Sequence, residues 1–157
     1  MSYEVTRVPV SPLQLAAVRD LATMHDLVRK IERHVKHVID VLTAASVKFG
    51  RCVVIYWDND AETSLIESPD GVPVDVGWEV ADGYADPKAG IATVRTPGGT
   101  SATTTHIGPY YELYKAHNAV RHWCKDNAVR RVGAHWEVYD HPREGEPPRT
   151  DVFYLIE

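Results

Sequence analysis

The segment with the clearest capacity for chemistry is the run from His135 to Asp140, which is His-Trp-Glu-Val-Tyr-Asp. Side chains alternate along a β-strand, so His135, Glu137 and Tyr139 would share one face of a sheet. A carboxylate on a packed face loses much of its hydration unless it is paired, protonated or hydrogen-bonded. Glu137 is therefore either a buried acid that can meet a ligand, or a glutamate that faces solvent or pairs with Arg95 or Arg121. The residues alone leave both interpretations open.

Two helices and eight strands are predicted around this segment. Apolar residues between Met24 and Leu42 recur every three or four positions, which predicts a helix that Thr23 and Asp26 can cap. Gly108-Pro109 predicts the start of a second helix, with Asn127 as its left-handed end. Stretches rich in Val, Ile, Thr and aromatic residues predict strands, at 3–10, 13–18, 51–57, 73–81, 91–97, 100–107, 134–140 and 150–156.

The order strand, strand, helix, strand, strand occurs twice, and local similarity supports a duplication. Residues 55–58 resemble 137–140, and residues 74–78 resemble 150–154. This alignment matches Trp57 with Tyr139 and Trp78 with Tyr154. We therefore expect an α+β fold and a single domain over 1–157, with pseudo-repeats at about 1–82 and 89–157. The β-β-α-β-β modules would form one antiparallel sheet, with two long helices and a ligand groove between them.

Composition excludes several classes of protein. The 157 residues are 44% hydrophobic and carry a formal net charge of −5, which predicts a soluble globular protein that repels nucleic acid at long range. No apolar stretch approaches the roughly 20 residues of a membrane span. Two cysteines without CxxC spacing favour a reducing, cytoplasmic location.

Cofactor and metal chemistry find little support in the sequence. It contains no P-loop, GxGxxG, GxSxG or HExxH motif, so no cofactor is expected. His34, His37 and Asp40 share a helical stripe that faces away from the apolar one, and we expect these histidines in solvent. His117 and His122 lie five apart and do not share a helical face well. No metal site is predicted.

Three segments together resemble the GyrI-like effector-binding family, which includes ligand-sensing domains of multidrug-responsive transcription activators. They are residues 105–113 (Thr-His-Ile-Gly-Pro-Tyr-Tyr-Glu-Leu), residues 136–139 (Trp-Glu-Val-Tyr) and residues 150–154 (Thr-Asp-Val-Phe-Tyr). The resemblance covers essentially the whole chain. It implies that the strand glutamate lies at the bottom of an aromatic pocket and meets lipophilic cations. The implied ligand-binding residues are Glu137, Tyr139, Tyr110, Thr105, Trp78, Tyr154 and Trp57.

Three functions are compatible with this resemblance. The first is binding or sequestration of diverse hydrophobic, often cationic, small molecules. The second is hydrolysis of cyclopropane-containing DNA-alkylating compounds, with Glu137 guiding water and Tyr139 or Tyr154 steadying charge on the ligand's carbonyl group. The third is modulation of DNA gyrase as a partner protein. The activators carry a DNA-binding segment before this domain, whereas the first strand here is predicted from Tyr3, so direct nucleic-acid binding is not expected.

Overall fold

The computed structural model describes residues 2–58, 70–140 and 142–157. The fold is α+β, as predicted, with one antiparallel eight-stranded sheet and two α-helices. The helices are α1 (Leu27–Ala44) and α2 (Leu113–Asp126). The strands are β1 (Thr6–Val10), β2 (Gln14–Ala22), β3 (Cys52–Tyr56), β4 (Val72–Glu79), β5 (Ala92–Arg95), β6 (Gly99–Ile107), β7 (Arg131–Asp140) and β8 (Arg149–Ile156).

The strand order exchanges one strand between the two halves of the chain. The sheet runs β1-β6-β8-β7-β3-β4-β2-β5, so β1 pairs with β6 of the second half and β5 pairs with β2 of the first. The third strands of the halves, β3 and β7, pair at the centre. If the labels β1–β4 and β5–β8 are exchanged in sequence, the result is the same strand order read from the opposite edge. This is the pattern of a two-fold relation between the halves.

Two short connections force the sheet to curl. Strands β1 and β2 lie six places apart, which would separate them by about 29 Å in a flat sheet. Only residues 11–13 join them, and the chain from Val10 to Gln14 spans about 14 Å at most. Residues 96–98 join β5 to β6 across the same gap. The two edges must therefore approach each other, although the strands described do not close the sheet.

Curling buries the face of the sheet that carries no helix. Val53 and Ile55 of β3 and Trp136 and Val138 of β7 form a core there, and all four are nearly or fully buried. Gly77 of β4 also lies inside the sheet, where β2 approaches so closely that a Cβ at Gly77 would overlap its backbone. The alternation therefore makes Trp136 and Val138 core residues, while His135, Glu137 and Tyr139 of the same strand face the helices.

The helices cover the other face. Val38 and Leu42 of α1 pack with Trp78 of β4, and Ala116 and Val120 of α2 pack in a cluster with β6 and β8. The apolar stripe of α1 extends beyond this core, because Val28 is 67% exposed. No helix in the described ranges is long and apolar enough to cross a membrane.

The beginning and end of α2 differ from the prediction. Pro109 is extended (φ −66°, ψ 147°) and precedes a 3₁₀ turn at Tyr110–Glu112, so the α-helix itself begins only at Leu113. At the other end Asn127 keeps a negative φ of −98°, and Ala128 adopts the left-handed conformation at φ 52°. The sequence signals located both ends to within a few residues.

Candidate functional site

A cavity of about 870 Å³ lies between the two helices on the helix-covered face of the sheet. Its floor comes from the two central strands, with Cys52 and Tyr56 on β3 and His135, Glu137 and Tyr139 on β7. Its walls are mostly apolar and aromatic, a composition typical of small-molecule sites. They include Met24, Leu27, Val28, Ile31 and Val35 from the α1 side, Leu113, Tyr114, His117, Asn118 and Arg121 from α2, and also Trp78 and Tyr110.

Glu137 lies at the floor of this cavity and is 4% exposed. Its Oε1 accepts hydrogen bonds from the hydroxyls of Tyr56 at 2.9 Å and Tyr139 at 2.6 Å. Its Oε2 lies 2.6 Å from Nε2 of His117, whose Nδ1 lies 2.6 Å from the hydroxyl of Tyr154. His117 therefore links the hydroxyl of Tyr154 to the carboxylate, because its Nε2–H can donate to Glu137 while Nδ1 meets Tyr154.

The central strand pairing explains why two tyrosines reach one carboxylate. Val54 faces Glu137 across the β3–β7 pair, Cys52 faces Tyr139, and Tyr56 faces His135. Positions two apart on a strand point to the same face, so Tyr56 and Tyr139 flank Glu137 from opposite strands. The carboxylate therefore receives one hydroxyl from each half of the chain.

These contacts keep Glu137 ionised despite its burial. Burial raises the pKa of Glu137, but the hydrogen bond and charge of His117 and the hydrogen bond from Tyr139 leave this pKa below its ordinary value. Burial and the neighbouring carboxylate raise the pKa of Tyr56 and of Tyr139 well above the ordinary value, so both hydroxyls stay protonated as donors. The floor of the cavity is a buried anion held by two tyrosine hydroxyls and an imidazole.

A second acid and imidazole lie beside the first pair. The ring of His135 is stacked between Tyr56 and Tyr154, with centroids 4.6 Å away on each side. Its Nδ1 lies 2.8 Å from Oδ1 of Asp58, although outside hydrogen-bond geometry. Burial lowers the pKa of His135, and Asp58 offsets only part of this effect. Within residues 2–58, 70–140 and 142–157, no three His, Cys, Asp or Glu residues are arranged to hold a metal ion.

Four of the seven residues implied by the family resemblance line the cavity: Glu137, Tyr139, Tyr110 and Trp78. Tyr110 is half exposed and meets the ring of Tyr139 edge-on, with centroids 5.5 Å apart. Trp78 is buried, and its indole N–H donates to the carbonyl of Val35. Tyr154 is fully buried behind His117 and His135, so it supports the cavity wall without lining it.

Trp57 and Thr105 lie outside the cavity. The indole N–H of Trp57 donates to Asp75 at 2.8 Å, and its ring packs with the core on the face that carries no helix. The repeat alignment matched Trp57 with Tyr139, but a shift of one residue moves a strand side chain to the opposite face. Thr105 donates its hydroxyl to Asp151 of the neighbouring strand at 2.7 Å, which engages it away from the cavity.

Sequence reasoning missed three residues of the site: Tyr56, His117 and Asp58. Tyr56 precedes Trp57 and shares the face of Glu137, so strict alternation through the paired strands could have identified it. His117 has no local signal, because its partner Glu137 lies twenty residues further along the chain on a strand. Neither Arg95 nor Arg121 pairs with Glu137, since Arg95 bonds Gln14 and the histidine occupies Oε2.

Comparison with known proteins identifies the class to which this fold and cavity belong. The sequence pattern of the GyrI-like small molecule binding domain matches residues 3–156, so the chain belongs to that family. No curated protein sequence is similar enough to count as a match.

Solved structures share the fold at low identity. The C-terminal domain of EcmrR is 19% identical, with a TM-score of 0.73 over 100% of this chain and 99% of that one. SAV2435, solved with bound tetraphenylphosphonium, is 9% identical, with a TM-score of 0.63 over 100% and 94%. A hydrolase from Listeria innocua is 12% identical, with a TM-score of 0.55 over 98% and 92%.

Proposed function

We propose that this protein binds diverse hydrophobic cations, for sensing or sequestration, in the cavity between its helices. One observation carries the proposal: Glu137 is a buried anion at the floor of a cavity with mostly apolar and aromatic walls. The cavity is large enough for a drug-sized molecule. The relative that was solved with tetraphenylphosphonium has the same fold, which adds support by analogy.

The hydrogen bonds of Glu137 indicate which cations fit best. Three donors already occupy its two oxygens, which leaves a primary ammonium about one of the roughly four acceptor sites of a carboxylate. A phosphonium or delocalised dye cation needs no hydrogen bond and interacts through its charge alone. Contact with aromatic faces such as Trp78, Tyr110 and Tyr139 adds about 0.5–2 kcal/mol per cation–π interaction.

Calorimetric titration with tetraphenylphosphonium tests the proposal. We expect micromolar affinity, or about −8 kcal/mol. Glu137→Gln should weaken this affinity at least five-fold, which corresponds to about 1 kcal/mol, while binding of neutral triphenylphosphine oxide stays nearly unchanged. Glu112→Gln is the matched control, because Glu112 is a partly exposed acid paired with Lys115 and does not line the cavity. Equal losses for the cation and the neutral compound would refute the electrostatic role of Glu137.

Hydrolysis of cyclopropane-containing alkylators is the second candidate. The chain from Tyr154 through His117 to Glu137 favours it, because a carboxylate that orients an imidazole is a familiar general-base arrangement. Incubation with such an alkylator, followed by mass spectrometry for an added water, would test it. Activity above buffer that is lost in both Glu137→Gln and His117→Phe would support catalysis. No water adduct across several compounds would leave binding as the function.

The predicted setting and partners remain proposals. The two cysteines are free and buried, which is compatible with a cytoplasmic protein. Modulation of DNA gyrase rests on the family resemblance alone, and recovery of gyrase on the immobilised protein would test it.

A further inference from the structure

The cavity holds a second charge that the binding of a simple cation does not use. Arg121 of α2 lines the cavity one turn after His117. Its guanidinium carbon lies 5.7 Å from the ring centroid of Tyr154. Within the described parts of the chain it makes no ion pair or hydrogen bond. Lys36, which also lines the cavity, is paired with Asp40 at 2.7 Å.

The structure keeps Arg121 and Glu137 apart although they share one cavity. His117 contacts both the hydroxyl of Tyr154 and Oε2 of Glu137, whereas the Arg121 guanidinium lies over the ring of Tyr154 and does not pair with the acid. Asp58 also lines the cavity within the electrostatic reach of Arg121. Burial raises the pKa of Asp58, and His135 and Arg121 lower it by more. The close contact of Asp58 is with Nδ1 of His135, so the hydrogen-bond donors of Arg121 are not used by Asp58.

We propose that Arg121 is a second subsite, which accepts a carboxylate or carbonyl oxygen of the ligand. The guanidinium group offers five N–H donors in a planar fork that matches a carboxylate. A ligand that places a positive charge near Glu137 and an oxygen acceptor at Arg121 would interact favourably with both of these residues. The inference rests on the proposed function and narrows it to aromatic zwitterions, or to cations that carry a strong oxygen acceptor.

A matched pair of ligands tests the subsite. (4-Carboxybutyl)triphenylphosphonium is a zwitterion at pH 7.5, and its methyl ester has the same cation and arm without the negative charge. We expect the acid to bind the wild-type protein at least five-fold more tightly than the ester, although the ester is the less hydrated ligand. Calorimetric titration measures both affinities under identical conditions.

Substitution of Arg121 provides the decisive comparison. Arg121→Gln should lower the affinity for the acid at least five-fold and change the affinity for the ester by less than two-fold. Arg29→Gln is the matched control, since Arg29 is an exposed arginine on α1 that does not line the cavity, and it should preserve the ratio between the two ligands. Thermal denaturation shows whether Arg121→Gln is folded, as expected for a residue that is only half-buried.

The possible failures are distinguishable. Suppose that the ester binds with an affinity that depends on Glu137. If the acid then binds no more tightly than the ester, or keeps its higher affinity in Arg121→Gln, the Arg121 subsite is wrong and cation binding stands. If neither ligand binds the wild-type protein, the proposed function fails and this inference fails with it.

Discussion

Replacing His117 by phenylalanine should raise the pKa of Glu137 above its ordinary value. Burial is the strongest influence on this carboxyl and raises its pKa, while the hydrogen bond and charge of His117 are the two strongest influences in the opposite direction. Phenylalanine keeps an aromatic ring at this position and removes both the hydrogen bond and the charge. The hydrogen bonds from Tyr56 and Tyr139 remain, so the expected change isolates the histidine.

The size of the effect follows from the lost interaction. A hydrogen bond to a charged group contributes about 1.5–3 kcal/mol, and one pKa unit corresponds to about 1.36 kcal/mol, so the pKa of Glu137 should rise by about one to two units. In the wild-type protein the lowered pKa stabilises the fold above the unfolded-state pKa, and this stability is lost as pH falls through the folded-state pKa. In His117→Phe the folded-state pKa of Glu137 is raised, so the folded state loses stability as pH rises through the range in which this carboxyl ionises. The difference in unfolding free energy should therefore widen between pH 4 and pH 7.5, by up to about 3 kcal/mol.

Two measurements check this expectation. Carbon NMR of Glu labelled at Cδ gives the carboxyl titration, and Glu137→Gln assigns the resonance. Urea denaturation at pH 4, 5.5 and 7.5 gives the stability difference. His122→Phe is the control, because His122 is exposed on the same helix and does not line the cavity. A Glu137 carboxyl that titrates at or below the ordinary value in His117→Phe, with a stability difference independent of pH, would refute the reasoning.

Three further substitutions or reactions test other parts of the structure. Trp57→Phe removes a hydrogen bond to buried Asp75 and should lower the unfolding free energy by about 1–3 kcal/mol in urea denaturation. The affinity for tetraphenylphosphonium should not change, and a reduced affinity would show that Trp57 contacts the ligand. Gly77→Ala should lower the melting temperature by more than about 10 °C, because the added Cβ overlaps the backbone of β2; a wild-type melting temperature would contradict this packing. Burial and the Glu137 charge raise the pKa of Cys52 to about 12, so in a Cys124→Ala protein it should react with a thiolate-specific reagent at pH 8 more than about 100-fold slower than free cysteine. A rate near that of free cysteine would show that the cavity floor is open to solvent.

The elements of the fold were accessible from the sequence because their signals are periodic and local. All eight predicted strands overlap observed ones, and the stripe from Met24 to Leu42 matches α1. The same stripe could not separate core from cavity wall, since both require apolar side chains on one helical face. Val38 is fully buried in the core, whereas Val28 is largely exposed at the cavity.

The candidate site depended on contacts that are distant in sequence. Alternation alone located Glu137 on the correct face, but it could not supply the hydroxyl of Tyr56 or the imidazole of His117, which lie 81 and 20 residues away. Similarity between repeats misplaced Trp57 because a local alignment tolerates a shift of one residue and a strand does not. The expectation that His34 and His37 face solvent is wrong, because both contact residues distant in the sequence: His34 lies 2.8 Å from Asp20 on β2, and His37 lies 2.7 Å from the carbonyl oxygen of Ala89.

The exchange of first strands between the halves has a consequence for cooperativity. Each half lacks one edge strand unless the other half is folded, because β1 pairs only with the second half and β5 only with the first among the strands described. Unfolding of either half therefore also removes the hydrogen bonds that its first strand makes to the other half. A tandem repeat would ordinarily melt in two steps, but this arrangement couples the steps, so that the cavity is either wholly assembled or wholly lost.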